Sequence, residues 1–583
     1  MEKHVRHLSS SHSATRDLSS SHSATRELLR EEYGSLYKPG GTVKAAVVFP
    51  NSYYLGMSSL GFQVICHEIN QHSDASCERA FFSIDGSSES LAYGAAASGD
   101  SRDAMPRSFE TQRLLSEFDI IGFSVSFELD YFNVVKVLHT AKIPLRAKDR
   151  GIGDPLVIAG GICCSFNPEP LSGFIDAFVI GDGEEVIHSL ISEYQNWRQA
   201  KDSRQNLLHR LSKIEGVYVP FLYDVGYRDD GTLSGIYPQP GVEPEIESFR
   251  VSDLGKFDTT SKILTSNTEF ARFFLVEVAR GCAHRCRFCV ASYTQRCRFR
   301  SEENVLELAR SVLAQKAEKI GLVGSSVSDH PQIDKIAMHL VNTGNRISIA
   351  SMRADSVSDA LLEALASSGQ ETITLAPEAA SARLRKIIGK NLTLETIFEA
   401  IRSALKKGIV NVRLYFMIGL PTETQEDVDN IANVVGRIKR LMLDSPRPRV
   451  SRSPRLTISI SPFVPKPHTP FQWCKMDDVK TLSAKLQLLR RKLSKIGGIR
   501  ISSSSARWSA IQGVLARGDR RLVDVLYDMQ IKSISWNQAL KKNSLSQDFY
   551  LQRHRQLDEL FPWDLLNLGI SRAMLTGEFS RSF

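Results

Sequence analysis

Along the first half of the chain, short β-branched apolar runs alternate with stretches whose apolar positions recur every three or four residues. The runs are Lys44–Phe49, Phe118–Val125, Pro155–Gly161 and Asp176–Gly183, and a helical pattern covers Gly61–Ile69. Strands alternating with helices in this way predict a doubly wound, Rossmann-like parallel sheet. In such sheets ligands sit beyond the carboxyl ends of the strands. Three of those ends, Gly122–Ser126, Gly160–Gly161 and Gly181–Gly183, are small enough for backbone to approach a bulky ligand. Ser124, Gly160, Gly161 and Gly181 are therefore candidate cofactor contacts, although the glycines would serve equally for turning tight corners.

After Phe270 the alternation becomes more regular. Strands are predicted at Phe273–Val278, Lys319–Val323, Ile347–Ser351, Thr372–Leu375, Asn411–Met417 and Leu456–Ser461. Helices are predicted between them at Ser301–Ala317, Gln332–Asn342, Val357–Ser367, Leu394–Lys407 and Glu423–Leu441. This pattern predicts a β/α barrel, partial or complete, with its chemistry at the strand C-termini. The chain divides into a disordered tail (1–40), the front sheet (41–215), a linker with one hairpin at Tyr223–Gly235 (216–267), the barrel (268–475) and a helical extension (476–583). The tail carries a tandem repeat, Leu8–Asp17 followed by Leu18–Glu27, too Ser-rich and too poor in apolar residues to build a core.

Composition adds limits. No apolar run reaches the roughly 18 residues of a membrane span, and the repeat lacks the apolar core of a secretory signal, so a cytoplasmic protein is expected. A net charge of +8 is small for 583 residues. The basic clusters Arg383–Lys390, Arg437–Arg455 and Lys485–Arg500 read as solvated faces, without the aromatic interleaving of a nucleic-acid platform. Nine cysteines, odd in number and gathered towards the middle, argue against a disulfide framework and for a reducing compartment.

The informative segment is Val278-Ala-Arg-Gly-Cys282-Ala-His-Arg-Cys286-Arg-Phe-Cys289, placed directly after the first barrel strand. Three thiolates at this spacing can hold three corners of a cubane cluster and leave the fourth iron open to a small molecule. A zinc site would draw on His284 as a fourth ligand, and Cys286-x-x-Cys289 alone would suit a redox dithiol. No second Cys-x-x-Cys pair follows, and the spacing favours the cluster over both. Cys297, eight residues on, reads as a packed thiol.

Cys282-x-x-x-Cys286-x-x-Cys289, with Phe288 before the last cysteine, resembles the signature of the radical S-adenosylmethionine (SAM) superfamily. The resemblance implies a [4Fe–4S] cluster on these cysteines and SAM chelating its open iron. It also implies reductive cleavage to a 5′-deoxyadenosyl radical and an electron donor such as flavodoxin or ferredoxin. Further likenesses follow the strands: Gly324 and Ser325 in the loop that receives the methionyl amine, whose usual acidic residue is missing, and Ser351 and Arg353 as carboxylate contacts. Glu378 resembles a ribose- or sulfonium-facing carboxylate, and Gly419 and Pro421 the segment beside the adenine.

Asp119–Ser124, Val157–Gly161, Asn167–Pro170 and Asp176–Glu185 resemble the cobalamin-binding domain found ahead of many radical enzymes, here without the Asp-x-His-x-x-Gly motif. That likeness adds cobalamin to the implied cofactors and methyl transfer or rearrangement to the implied reactions. Two other readings stay open. One is an RNA methylthiotransferase with a second cluster on Cys66, Cys77 and Cys163 or Cys164; the other is a non-catalytic metal-binding scaffold. The substrate is not legible.

Overall fold

The computed structural model describes residues 19–83, 105–445 and 454–583, with side chains described from residue 24. The first repeat copy lies outside these residues. The second, expected to be disordered or at most weakly helical, lies in the helix Ser19–Glu31 from Ser19 on. Glu32 just beyond it accepts both terminal nitrogens of the buried Arg79 at 2.7 Å, so residues inside the expected tail are tied to the core.

The front sheet has six strands in the order β2-β1-β3-β4-β5-β6. They are β1 (Val43–Ser52), β2 (Ala75–Ser83), β3 (Ile120–Ser124), β4 (Leu156–Gly160), β5 (Ala177–Val179) and β6 (Val217–Tyr218). All pair in parallel except β6, which is antiparallel to β5. The apolar residues of β1, β3 and β4 are almost wholly buried, as expected of parallel strands covered on both faces. Ser59, whose hydroxyl accepts the N–H of Phe62, starts the helix Leu60–Gln71, which packs on β1 and on the helix Val186–Ala200. The helix Tyr131–Thr140 also packs on β1.

The segment read as a linker is firmly structured. It holds a hairpin, β7 (Tyr223–Tyr227) and β8 (Leu233–Pro238), and a short β9 (Ile246–Glu247). Its end runs along the first strand of the second half, β10 (Phe273–Glu277): Ser261 donates to Leu275, and Glu277 to Thr259, at 3.0 Å each. That edge is thereby covered.

The loop after β10 is closed by two short strands, β11 (Ala279–Arg280) and β12 (Arg298–Phe299). Beyond it come β13 (Lys319–Val323), β14 (Ile347–Ile349), β15 (Thr372–Glu378), β16 (Asn411–Ile418), β17 (Leu456–Pro462) and β18 (Ile499–Ser503). These main strands are all parallel but lie in two sheets, β10-β13-β14 and β15-β16-β17-β18. Between β14 and β15 the ladder is replaced by Gln370, which bonds both N–H and C=O of Ile349, and by Met352 donating to Thr374 at 3.1 Å. The predicted helix Ser301–Ala317 is two helices, Glu302–Leu308 and Val312–Gln315, because Ser311 caps a fresh turn through the N–H of Ala314.

The region from 476, expected to be a helical extension, is not purely helical: it also supplies β18 and a short β19 (Leu566–Asn567) that pairs with β9. Its helices pack back on the front sheet, Leu522–Ile531 against Tyr131–Thr140. Asn167, in the Asn-Pro-Glu-Pro segment, donates to the carbonyls of Ala516 and Gly518, and Glu169 accepts from Tyr218 and Arg520. That segment therefore fastens the C-terminal region to the front sheet.

Candidate active site: the cysteine loop and the adjoining cavity

The three cysteines lie in one loop at the carboxyl end of β10. Arg280 pairs with Arg298 and Ala279 with Phe299, so the loop leaves and returns through one narrow neck. Gly281 has φ +77°, and a Cβ there would stand 2.6 Å from the carbonyl oxygen of Arg296 and 2.7 Å from that of Gln295. Only glycine lets the two ends approach this closely. The far side of the loop is pinned as well. Arg287 N–H donates to Ile388 at 2.9 Å, and Phe471 N–H donates to the Arg287 carbonyl at 3.2 Å. The Arg287 side chain reaches the carbonyls of Lys386 and Ile387 and the carboxylate of Glu578 in the C-terminal helix Arg572–Ser580. Phe288 packs, half-buried, on the cluster of Ala379, Ile388 and Phe471.

Cys286 is buried; Cys282 and Cys289 are partly exposed. Burial pushes the Cys286 thiol up to about 11, against the pull of Lys390 and Arg353 and with a push from its two neighbouring thiols. Burial also raises the Cys282 thiol, opposed by a hydrogen bond from the His284 N–H. Cys286 thus lies within electrostatic reach of both other thiols, and Arg353 favours thiolate at Cys282 and Cys286, with Lys390 adding to it at Cys286. Among the described residues no three His, Cys, Asp or Glu side chains converge as for a single metal ion. A cubane asks for something else, since each thiolate takes a different iron. The donor set fits such a cluster: three sulfurs in one short loop. His284 is drawn aside, its Nε2 2.7 Å from Asp329.

The other predicted residues divide. Gly324 and Ser325 follow β13 beside the loop, where a Cβ on Gly324 would stand 2.8 Å from the Ala279 carbonyl oxygen. Arg353 holds Asp355 through two bonds, 2.9 and 2.7 Å, and lies close enough to Cys286 to influence it. Ser351 is exposed beyond the end of β14. Glu378 ends β15 in the left-handed region, φ +64°, an unusual conformation for its type and one that gathers at functional sites. Burial raises its carboxyl, and its partner is Lys390 at 3.4 Å. Arg383 instead binds Asp427, and Arg385 binds the carbonyls of Ala379, Ala380 and Leu392. Gly419, φ +76°, turns β16 into the next helix with Pro421 two residues on, and its N–H donates to Glu423 at 2.8 Å.

A cavity of about 440 Å³ lies between the carboxyl edge of the front sheet and the neck of the cysteine loop. Ser124, Gly160, Gly161 and Gly181 line it from one side, and Arg280, Gly281, Gly324 and Ser325 from the other. Gly161 and Gly181 also have positive φ and abut the backbone of Val125 and Phe249, so they turn corners as well as face the space. The carboxyl edge of the front sheet and the neck of the cysteine loop thus face one another across this cavity. Lys390 and the charges at the loop neck escaped sequence reasoning; their partners are remote in the chain and leave no local pattern.

The proposed second-cluster cysteines do not converge. Cys77 is on the edge strand β2 beside Cys66, whereas Cys163 and Cys164 follow β4, with β1 and β3 between. All four are buried, and burial raises the thiols of Cys77, Cys163 and Cys164.

Residues 276–435 match the family model of the radical SAM superfamily, and residues 61–220 match that of radical SAM proteins, N-terminal. The chain belongs to the radical SAM superfamily. It is an enzyme of that superfamily, whose members use a [4Fe–4S] cluster and SAM. An uncharacterized protein of Methanocaldococcus jannaschii is 29% identical over 512 residues, 87% of this chain and 96% of that protein. An uncharacterized methyltransferase of Pyrococcus horikoshii is 25% identical over 286 residues, 47% of this chain and 56% of the relative. Among solved structures, the radical SAM methyltransferase TsrM of Kitasatospora setae, with cobalamin and a [4Fe–4S] cluster bound, superposes with a TM-score of 0.45 at 15% identity. That match covers 72% of each chain. No helix among the described residues is long and apolar enough to cross a membrane.

Proposed function

We propose that this radical SAM enzyme holds its cluster on Cys282, Cys286 and Cys289 and cleaves SAM reductively there. On this reading a corrinoid of the cobalamin class occupies the front cavity and serves methyl transfer or rearrangement. The observation that carries the reading is that the neck of the cysteine loop borders a cavity built from the carboxyl edge of a flavodoxin-ordered sheet. A cluster with an open iron supplies a low-potential electron to a bound sulfonium.

The chain's own residues do the positioning. Gly281 and the β11–β12 ladder close the loop, Arg287 fixes its far side, and Phe288 covers it with apolar surface. Lys390 and Arg353 favour thiolate at Cys286. Glu378, held in a strained conformation beside Lys390, offers a carboxylate to the ribose or sulfonium, and Gly324 and Ser325 offer backbone and hydroxyl to the methionyl end. Gly419 and Pro421 shape the adenine side. Ser124 and Gly160 line the front cavity and would contact the group there, and no histidine among the described residues lines the space. The relative of Pyrococcus horikoshii, described as a methyltransferase, favours methyl transfer over rearrangement. The electron donor is a flavodoxin or ferredoxin.

Anaerobic titration of the full chain with hydroxocobalamin, followed by absorption, tests the cavity assignment. Saturable one-to-one binding that Gly160→Trp removes is expected. A wild-type spectrum that never departs from that of the free corrinoid overturns the assignment.

A further inference from the structure

Asp182 stands where the two halves of the molecule meet. It follows Gly181 beyond the carboxyl end of β5, and its carboxylate holds Arg280 at 3.0 Å and Arg298 at 2.7 Å. Those arginines are the two sides of the loop neck. Arg280 stands just before Gly281-Cys282, Arg298 just after Cys297, and they pair across the β11–β12 ladder. The N–H of Val251 donates a further bond to Asp182 at 3.0 Å. Arg280 has two more carboxylates, Glu184 at 2.6 Å and Glu277 at 2.8 Å. Arg298 has no other carboxylate within reach among the described residues, and its Nη2 is buried without a partner.

The ladder has only two residue pairs, and it sets two guanidinium groups side by side. Without a shared anion the like charges would push the neck open. Asp182 is itself buried, 4% exposed, so its charges are weakly screened and its bonds are charge-assisted. Gly281, next to Arg280, must stay close to the Arg296 carbonyl for the loop to close. The neck therefore depends on an anion delivered from another part of the chain, about a hundred residues away in sequence.

We propose that Asp182 is a positioning residue for the cysteine loop: by bridging Arg280 and Arg298 it keeps the neck shut and the three thiols in register. The proposal rests on the reading of the loop as the cluster holder. It goes further by giving the front module a structural hand in the cluster, through a residue that also lines the front cavity.

The test uses the full chain in two states. In the cluster-free protein, trypsin cleavage after the exposed Arg285 reports loop opening without any cofactor. In the reconstituted protein, iron release to a chelator reports retention. Asp182→Asn is expected to speed both by about tenfold, the scale of one lost charge-assisted hydrogen bond, while Asp182→Glu recovers most of the loss. Arg298→Gln breaks the same bridge from the other side, and it decides the matter if Asp182→Asn does not fold. The double variant should be no faster than the faster single, because the two share one interaction. Wild-type rates in both single variants, or a double whose acceleration is the product of the singles, overturn the proposal. A wild-type chain that takes up no iron sinks the cluster reading instead, and the trypsin arm still decides the role of Asp182.

Discussion

Gly281→Ala is the smallest change that reaches the centre of the site. Glycine at φ +77° becomes alanine, and left-handed backbone costs an L-residue roughly 1–2 kcal/mol. The new Cβ would also lie 2.6 and 2.7 Å from two carbonyl oxygens on the opposite side of the neck. Neither neighbour is a flexible side-chain tip, so the ladder between Arg280 and Arg298 must widen. A total of about 2 kcal/mol lowers the population of the closed loop roughly thirtyfold. The core of the second half is untouched, because Val278 and Ala279 keep their places against β13 and β12. Iron per chain after anaerobic reconstitution, with the rate of iron release and a circular dichroism melt, measures this. The account expects fast iron loss with a nearly unchanged melt. Wild-type iron retention in Gly281→Ala would refute the claim that the closed neck holds the thiols together.

Three further outcomes are expected. Glu378→Gln removes the charge facing Lys390 and should raise KM for SAM about tenfold, on the scale of one charged hydrogen bond, with folding intact; an unchanged KM separates Glu378 from the cofactor. Burial pushes the Asp130 carboxyl up to about 7, against a bond from Asn51 and with a push from Glu128. A raised carboxyl contributes stability that is complete below its unfolded value near 3.8 and lost as pH rises through about 7. Asp130→Asn should therefore gain up to ~4 kcal/mol relative to wild type between pH 4 and pH 7, read as a flatter dependence of the denaturation midpoint on pH. Glu32→Ala strips the buried Arg79 of one of its two carboxylates and should cost about 2–3 kcal/mol in the front module by protease susceptibility; no change would contradict the claim that Glu32 is tied to the core.

Much of the fold was legible because its central strands are simple. Lys319–Val323 is a short apolar run between amphipathic helices, and the strand lies where the pattern put it. Ala75–Ser83 escaped notice because Ser76, Glu78 and Arg79 look wrong for a buried strand. Their partners are remote: Thr111 bonds Glu78, and Glu110 and Glu32 hold Arg79. Ile499–Ser503 was lost in a helical region because it is a short edge strand with only two isoleucines. The site follows the same division. The cysteine spacing and the small strand ends are local signals, whereas Lys390 under Glu378, Glu578 on Arg287 and Asp182 across the neck are charges placed by tertiary contacts.

The central claim is tested most directly by product analysis. Full-length protein, reconstituted anaerobically to about four irons per chain, is mixed with SAM and dithionite and assayed for 5′-deoxyadenosine. The account predicts the nucleoside from the wild type and none from Cys286→Ala. An intact cluster on the wild-type cysteines that yields no 5′-deoxyadenosine above the Cys286→Ala background would contradict it.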